Sequence, residues 1–162
     1  DIIVLTGAVQ PGVVAVGKKS LVWLPLFGIL FYLSGNVLID RSNRSRAIDT
    51  IRQVVDKIRS RRISIWMFPE GTRSRGRGLL PFKTGAFHTA MQAGVPIVPV
   101  VATSYAKQID LNRWDNGEVH IEMLPPIDPN GWARDQVREC ADHVRELMKA
   151  KLQELDQQVH GA

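Results

Sequence analysis

The sequence predicts an α/β fold: a single domain with a central, largely parallel sheet flanked by helices. Three observations predict it. Short runs rich in β-branched residues alternate with longer stretches whose apolar residues recur every three or four positions. The chain has 162 residues, a one-domain length, and no repeat, linker or low-complexity tract divides it. Its hydrophobic content of 44% is enough to bury a sizeable core.

Taken in order, residues 13–16 form a short strand ending at Gly17. Residues 20–39, SLVWLPLFGILFYLSGNVLI, carry no charge and are flanked by Lys19 and Asp40. That is the length of a membrane-spanning helix, about 20 residues. Pro25, Gly28, Ser34, Gly35 and Asn36 break it in two, so it also reads as a buried or interfacial helix followed by a core strand, GNVLI. Trp23, Phe27, Phe31 and Tyr32 suit a headgroup boundary. Residues 45–60 set Ile48, Ile51, Val54, Val55 and Ile58 at helical spacing, with Ser45 as the expected N-cap.

Residues 63–68, ISIWMF, read as a strand that Pro69 ends. Residues 85–94 form a short helix stopped by glycine. VPIVPVVA, 95–102, is a strand that its two prolines make edge-like or irregular. Residues 119–124 make a further strand, and 134–159 a long amphipathic helix on Val137, Ala141, Val144, Met148, Leu152, Leu155 and Val159.

Charge and cysteine usage narrow the function classes. A net charge of +5 and a pI near 9.7 suit an anionic partner: nucleic acid, acidic lipid headgroups or phosphorylated substrates. Cys140 is the single cysteine, which excludes an intrachain disulfide and favours a reducing compartment. Residues 41–62 hold eight basic residues against two aspartates. Stacking aromatics and a reading-helix motif are missing there, so nucleic acid is not expected as a partner. A solvated basic face remains, worth about 1 kcal/mol of attraction per basic residue beside an anionic membrane surface.

Other chemistries lack their residues. Gly71 and Gly76 have P-loop spacing, but Arg77 and Gly78 stand where Lys and Ser/Thr are required. The four histidines form no HExxH or Cys/His cluster, so no metal site is expected, and no G-x-S-x-G elbow occurs. Cys140 is expected to be a small buried hydrophobe. His88, three residues after Gly85, is a minor candidate.

The stretch FPEGTRSRGRGLLPFKTG, residues 68–85, is different. It leaves the carboxyl end of a strand, where ligands bind in open α/β sheets. Arg73 and its neighbours offer forked donors for a phosphate, Gly71 lets backbone approach a ligand, and Thr72 supplies a hydroxyl. Glu70, amid that positive charge, is expected to act as an acceptor or orienting group rather than an acid. A structural ion-pair turn is the alternative.

FPEGTRSR, the strand before it and VPIVPV about 25 residues later resemble the glycerolipid acyltransferase superfamily, and within it the bacterial 1-acylglycerol-3-phosphate acyltransferases of the PlsC type. VGKKSLVWLPLFG resembles that family's lysine-bearing segment, and GNVLIDR its block ending in arginine. These four blocks, in the family's order, cover essentially the whole chain, so that residues 1–162 are expected to be one acyltransferase domain.

The resemblance implies that Lys18, Arg41 and Arg73 contact the phosphate of a lysophosphatidate acceptor, and that Glu70, Gly71 and Thr72 shape its site. Val95, Pro96 and Pro99 would belong to the fourth block, structural or acyl-chain related. The family's catalytic block is H-x4-D, and no histidine here has aspartate five residues on: Ala93, Pro125 and Met148 stand there instead. The distance from Asp1 to VGKKS suits Asp1 as that aspartate, orienting a general-base histidine expected five residues upstream. The family's N-terminal membrane-anchoring helices are likewise expected outside the sequence. Without its base the chain is expected to be essentially inactive, since a general base contributes about 10² to 10⁴ in rate.

The implied reaction moves an acyl group from acyl-CoA or acyl carrier protein, as co-substrate and without a cofactor, to the sn-2 hydroxyl of lysophosphatidate. The implied setting is the cytoplasmic face of a bacterial inner membrane. A sibling acyltransferase using glycerol-3-phosphate or another lysolipid is the nearest alternative. A non-catalytic module binding anionic lipid or nucleic acid is the second.

Overall fold

The computed structural model describes residues 12–18, 37–39, 44–72, 74, 77–103 and 118–160. The elements run β1 (Val13–Lys18), β2 (Val37–Ile39), α1 (Arg44–Arg61), β3 (Ser64–Trp66), α2 (Gly85–Ala93), β4 (Val100–Ala102), β5 (Ile121–Met123) and α3 (Val137–His160). A 3-10 turn, Pro129–Gly131, precedes α3, and the Asp128 carboxylate caps it by accepting from the Asn130 N–H at 2.9 Å.

β1 is the central strand of a three-stranded sheet ordered β2-β1-β3. It is parallel to both neighbours, with Val16 opposite Val37, Lys18 opposite Ile39 and Ala15 opposite Trp66. Parallel strands need a long crossover, and α1 carries the chain from β2 over β1 to β3. Its inward stripe, Val54, Val55 and Ile58, is buried and packs with Val14 of β1 and Ile65 of β3. Ala93 at the end of α2 joins the same cluster. The expected parallel sheet is therefore present, and β4 with β5 forms a separate antiparallel pair, Val101 opposite Glu122.

The second apolar cluster unites Phe82, Phe87, Val137, Cys140, Ala141 and Val144. It locks α3 against α2 and against the segment leading into α2, with the Phe82 and Phe87 rings stacked at 6.1 Å. Cys140 is fully buried here, as its sequence setting suggested, and burial pushes its thiol above the ordinary range.

Several element boundaries differ from expectation. Ser45 does not cap α1, because the helix begins at Arg44 and takes Ser45 into its first turn. The strand expected over residues 63–68 pairs only over Ser64–Trp66, and that over 119–124 only over Ile121–Met123. Residues 95–102 are irregular, as their prolines suggested: only Val100–Ala102 are strand, since Pro96 and Pro99 have no N–H to give a ladder, and Ile97 makes a lone bridge to Ile127. The last helix begins at Val137, after the expected 134. Gly94 stops α2 as expected, in the left-handed region at φ 66°, its N–H donating to Ala90 O.

No helix among the described residues is long and apolar enough to cross a membrane. Residues 20–33, on which the membrane question turned, lie outside the described residues.

Candidate active site

The chain reverses direction across the sheet between β1 and β3, since β2 lies on one side of β1 and β3 on the other. In open α/β sheets the crevice at such a reversal, beyond the carboxyl ends of the strands, is where ligands bind. Three of the predicted residues are brought to that edge by backbone alone. Lys18 is the last residue of β1, and the loop bearing Glu70 and Gly71 leaves β3 beside it. Arg41 follows β2 by two residues but, like Asp1 and Arg73, lies outside the described residues, as does the side chain of Lys18.

The loop turns at once. The Gly71 N–H donates to Phe68 O at 3.1 Å, and Gly71 has φ 69°, a conformation that glycine adopts without the usual steric cost. The chain then runs out through Thr72, which is exposed, and returns so that the Lys83 N–H meets Pro69 O at 2.8 Å. Glu70 closes the loop from inside: its Oε2 accepts from the Leu80 N–H at 3.0 Å, ten residues on. The carboxylate is thus engaged as an acceptor by a backbone donor within its own loop.

Clearance and charge sit together. A Cβ on Gly71 would stand 3.0 Å from Lys83 Cδ and Cε and 3.1 Å from its Nζ, so the lysine stem lies across the glycine. Lys83 thus sets its cationic stem directly against the Gly71 backbone. Further out, Arg77 folds onto its own loop, its N–H and Nε both donating to Ser74 O at 3.3 and 3.0 Å. A turn that brings the Lys83 cation and the Gly71 backbone together is chemically suited to a phosphate.

Two residues that sequence reasoning did not single out hold the return limb of this loop. Arg138 and Arg145, both on α3, donate to the carbonyls of Phe82, Leu80 and Leu79. Their spacing of seven put them on one helix face, but nothing in the sequence said what that face meets. His88 is not at the loop: it lines an open groove between α1 and α2 with Arg52, Asp56, Arg59 and Arg134. No group of three metal-ligating side chains occurs among the described residues.

Comparison with known proteins gives this geometry a family. A model of the family described as Acyltransferase matches residues 1–103, which include β1, β2, β3 and the Glu70 loop. The 1-acyl-sn-glycerol-3-phosphate acyltransferase of Escherichia coli strain K12 is 59% identical over 159 residues, covering 98% of this chain and 65% of its own. That of Haemophilus influenzae is 53% identical over 159 residues, covering 98% and 66%. The crystal structure of the 1-acyl-sn-glycerophosphate (LPA) acyltransferase PlsC from Thermotoga maritima superposes with a TM-score of 0.73 at 28% identity, over 96% of this chain and 61% of that one. The chain thus spans about two thirds of the length of the curated bacterial relatives it matches. On its sequence blocks, its parallel sheet and the loop built at that sheet's carboxyl edge, the chain belongs to the acyltransferase family.

Proposed function

We propose that this chain is the acyltransferase domain, residues 1–162, of an enzyme that acylates lysophosphatidate at its sn-2 hydroxyl to give phosphatidate. The observation that carries the reading is the Glu70–Lys83 loop. It is an arginine- and glycine-rich turn, closed by an internal carboxylate, at the switch point of a parallel sheet. The names of relatives at 53–59% identity support the acceptor.

In this reading Lys18, Arg41 and Arg73 take the acceptor phosphate, Gly71 leaves room for it, and Thr72 borders it. Asp1 orients the histidine that the family's H-x4-D block puts five residues upstream. That imidazole removes the sn-2 hydroxyl proton, and Asp1 stabilises its charged form. The oxygen attacks the thioester carbonyl of acyl-CoA or acyl carrier protein, the new C–O bond forms and the C–S bond breaks. The departing sulfur takes the proton back from the imidazolium. The balance closes without a cofactor. The basic face of α1 and the apolar residues 20–33 favour work at an anionic membrane surface, which for such an enzyme is the cytoplasmic face of a bacterial inner membrane.

The test is thiol release from acyl-CoA and from acyl carrier protein, with lysophosphatidate as acceptor, in a form that includes the histidine. Arg73→Ala removes a charged hydrogen bond worth about 1.5 to 3 kcal/mol, so the acceptor KM rises about 10- to 100-fold. Unchanged kinetics would remove the loop from the acceptor site. Preference for glycerol-3-phosphate in an acceptor panel would select the sibling reaction. Salt-sensitive binding to phosphate polymers without turnover would select a binding module.

A further inference from the structure

The acceptor loop is held by a helix outside the segment that the family model matches. α3 lies beyond residue 103, and its two arginines reach back across the fold. Arg138 Nη1 donates to Phe82 O at 2.7 Å. Arg145 donates through Nε to Leu80 O at 3.1 Å and through Nη2 to Leu79 O at 2.9 Å. Its Nη1 donates to Glu146 Oε1 at 2.9 Å, so every nitrogen of that guanidinium is engaged.

One peptide unit receives both ends of this arrangement. The Leu79 carbonyl and the Leu80 N–H belong to the same planar group. Arg145 holds its oxygen and Glu70 Oε2 holds its N–H at 3.0 Å. A cation at the oxygen and an anion at the hydrogen both align with the peptide dipole, so each bond polarises the group in favour of the other. The unit cannot rotate without breaking a charge-assisted bond on one side. Glu70 is therefore placed by Arg145 acting through a rigid plate.

We propose that Arg145 is a positioning residue for the acceptor loop, fixing the Glu70 carboxylate through the Leu79–Leu80 peptide, with Arg138 as a second anchor at Phe82. The proposal rests on the reading of this loop as the acceptor site. Its physical logic is that a glycine-rich loop crowded with arginines repels itself and has little stiffness of its own. Tying its return limb to a long helix gives it a fixed frame.

The experiment compares Arg145→Ala and Arg145→Lys with the parent in the form that carries the histidine. Amide exchange at Leu80 is read by NMR, and KM is measured separately for lysophosphatidate and for the acyl thioester. Arg145→Ala is expected to speed Leu80 exchange about tenfold and to raise the acceptor KM about tenfold, with the thioester KM within twofold. Arg145→Lys, which reaches one carbonyl and not both, falls between. In Arg145→Ala, a further Glu70→Gln change adds less than it does in the parent, because the two act in series. A protected Leu80 amide in the folded variants, or equal rises in both KM values, would overturn the proposal. If Arg145→Ala does not fold, Arg145→Lys alone decides by the same criteria. A parent that releases no thiol with lysophosphatidate sinks the acceptor reading, and Leu80 exchange then judges the clamp by itself.

Discussion

Substituting alanine at Gly71 separates the two demands that the loop makes on that position. The backbone there has φ 69°, and an L-residue in the left-handed region costs about 1–2 kcal/mol. The added Cβ would also meet Lys83 Cδ and Cε at 3.0 Å. Lys83 is exposed and its stem is flexible, so a few tenths of an ångström of movement relieves the contact. The conformational term therefore dominates, and Gly71→Ala is expected to lose about 1–2 kcal/mol in urea unfolding. The decisive comparison is Gly71→Asn. Asparagine tolerates the left-handed region better than alanine, so it should cost less despite its greater bulk. A larger loss for Gly71→Asn than for Gly71→Ala would refute the argument and make the lysine contact the controlling term. Lys83→Ala would then be expected to rescue both variants.

Other consequences follow from buried groups. Thr103 is 1% exposed, and its Oγ1 accepts from the His120 N–H at 3.1 Å. Thr103→Val keeps the shape but strands that donor, so the urea midpoint should fall by the equivalent of about 1–3 kcal/mol, with Thr103→Ser closer to the parent. Val144, 2% exposed, lies in the cluster joining α3 to α2, and Val144→Ala should cost roughly 1.5–2.5 kcal/mol by thermal or urea unfolding. Burial raises the Cys140 thiol above its ordinary 9.0, so on raising the pH the unfolded chain loses that proton first. Its contribution is complete below that value and declines as pH climbs past it. Cys140→Ala should flatten the fall in urea midpoint as pH rises above about 9, and a steeper fall in the variant would contradict this.

What was legible in the sequence was whatever repeats along one element. The stripes of α1 and α3 could be read because Val54, Val55 and Ile58, and Val137, Ala141 and Val144, recur with the helical period and are the residues buried. Gly94 could be read as a stop because it directly follows the helical stretch and glycine readily takes the left-handed conformation that ends a helix. Boundaries were less visible. Ser45 looked like a cap because it precedes the apolar stripe, yet the helix runs one residue further back. The prolines of residues 95–99 signalled irregular pairing, but not that regular strand would resume only at Val100.

At the site, the sequence marked the Glu70 loop by its charge and glycines, but not the partner of the Glu70 carboxylate. The Leu80 N–H is a backbone group and carries no sequence signal. Arg138 and Arg145 were invisible for a different reason. On a helix rich in charge, an arginine that binds a distant carbonyl looks like one that faces water.

Arg59 shows the same invisibility elsewhere: from α1 it donates to the carbonyls of Gln92 and Ala93 at the end of α2, at 2.6 and 3.3 Å. Such links make the order of synthesis matter. Arg138 and Arg145 grip carbonyls that precede them by 56, 65 and 66 residues. At about 5–20 residues per second, the 65 residues from Leu80 to Arg145 take roughly 3 to 13 s to make. Throughout that interval the three strands and α1 already exist as chain, while the loop lacks the helix that fixes it. The nascent protein therefore completes these strands and α1 well before the Glu70 loop is held, and the loop's final geometry is among the last features that synthesis delivers.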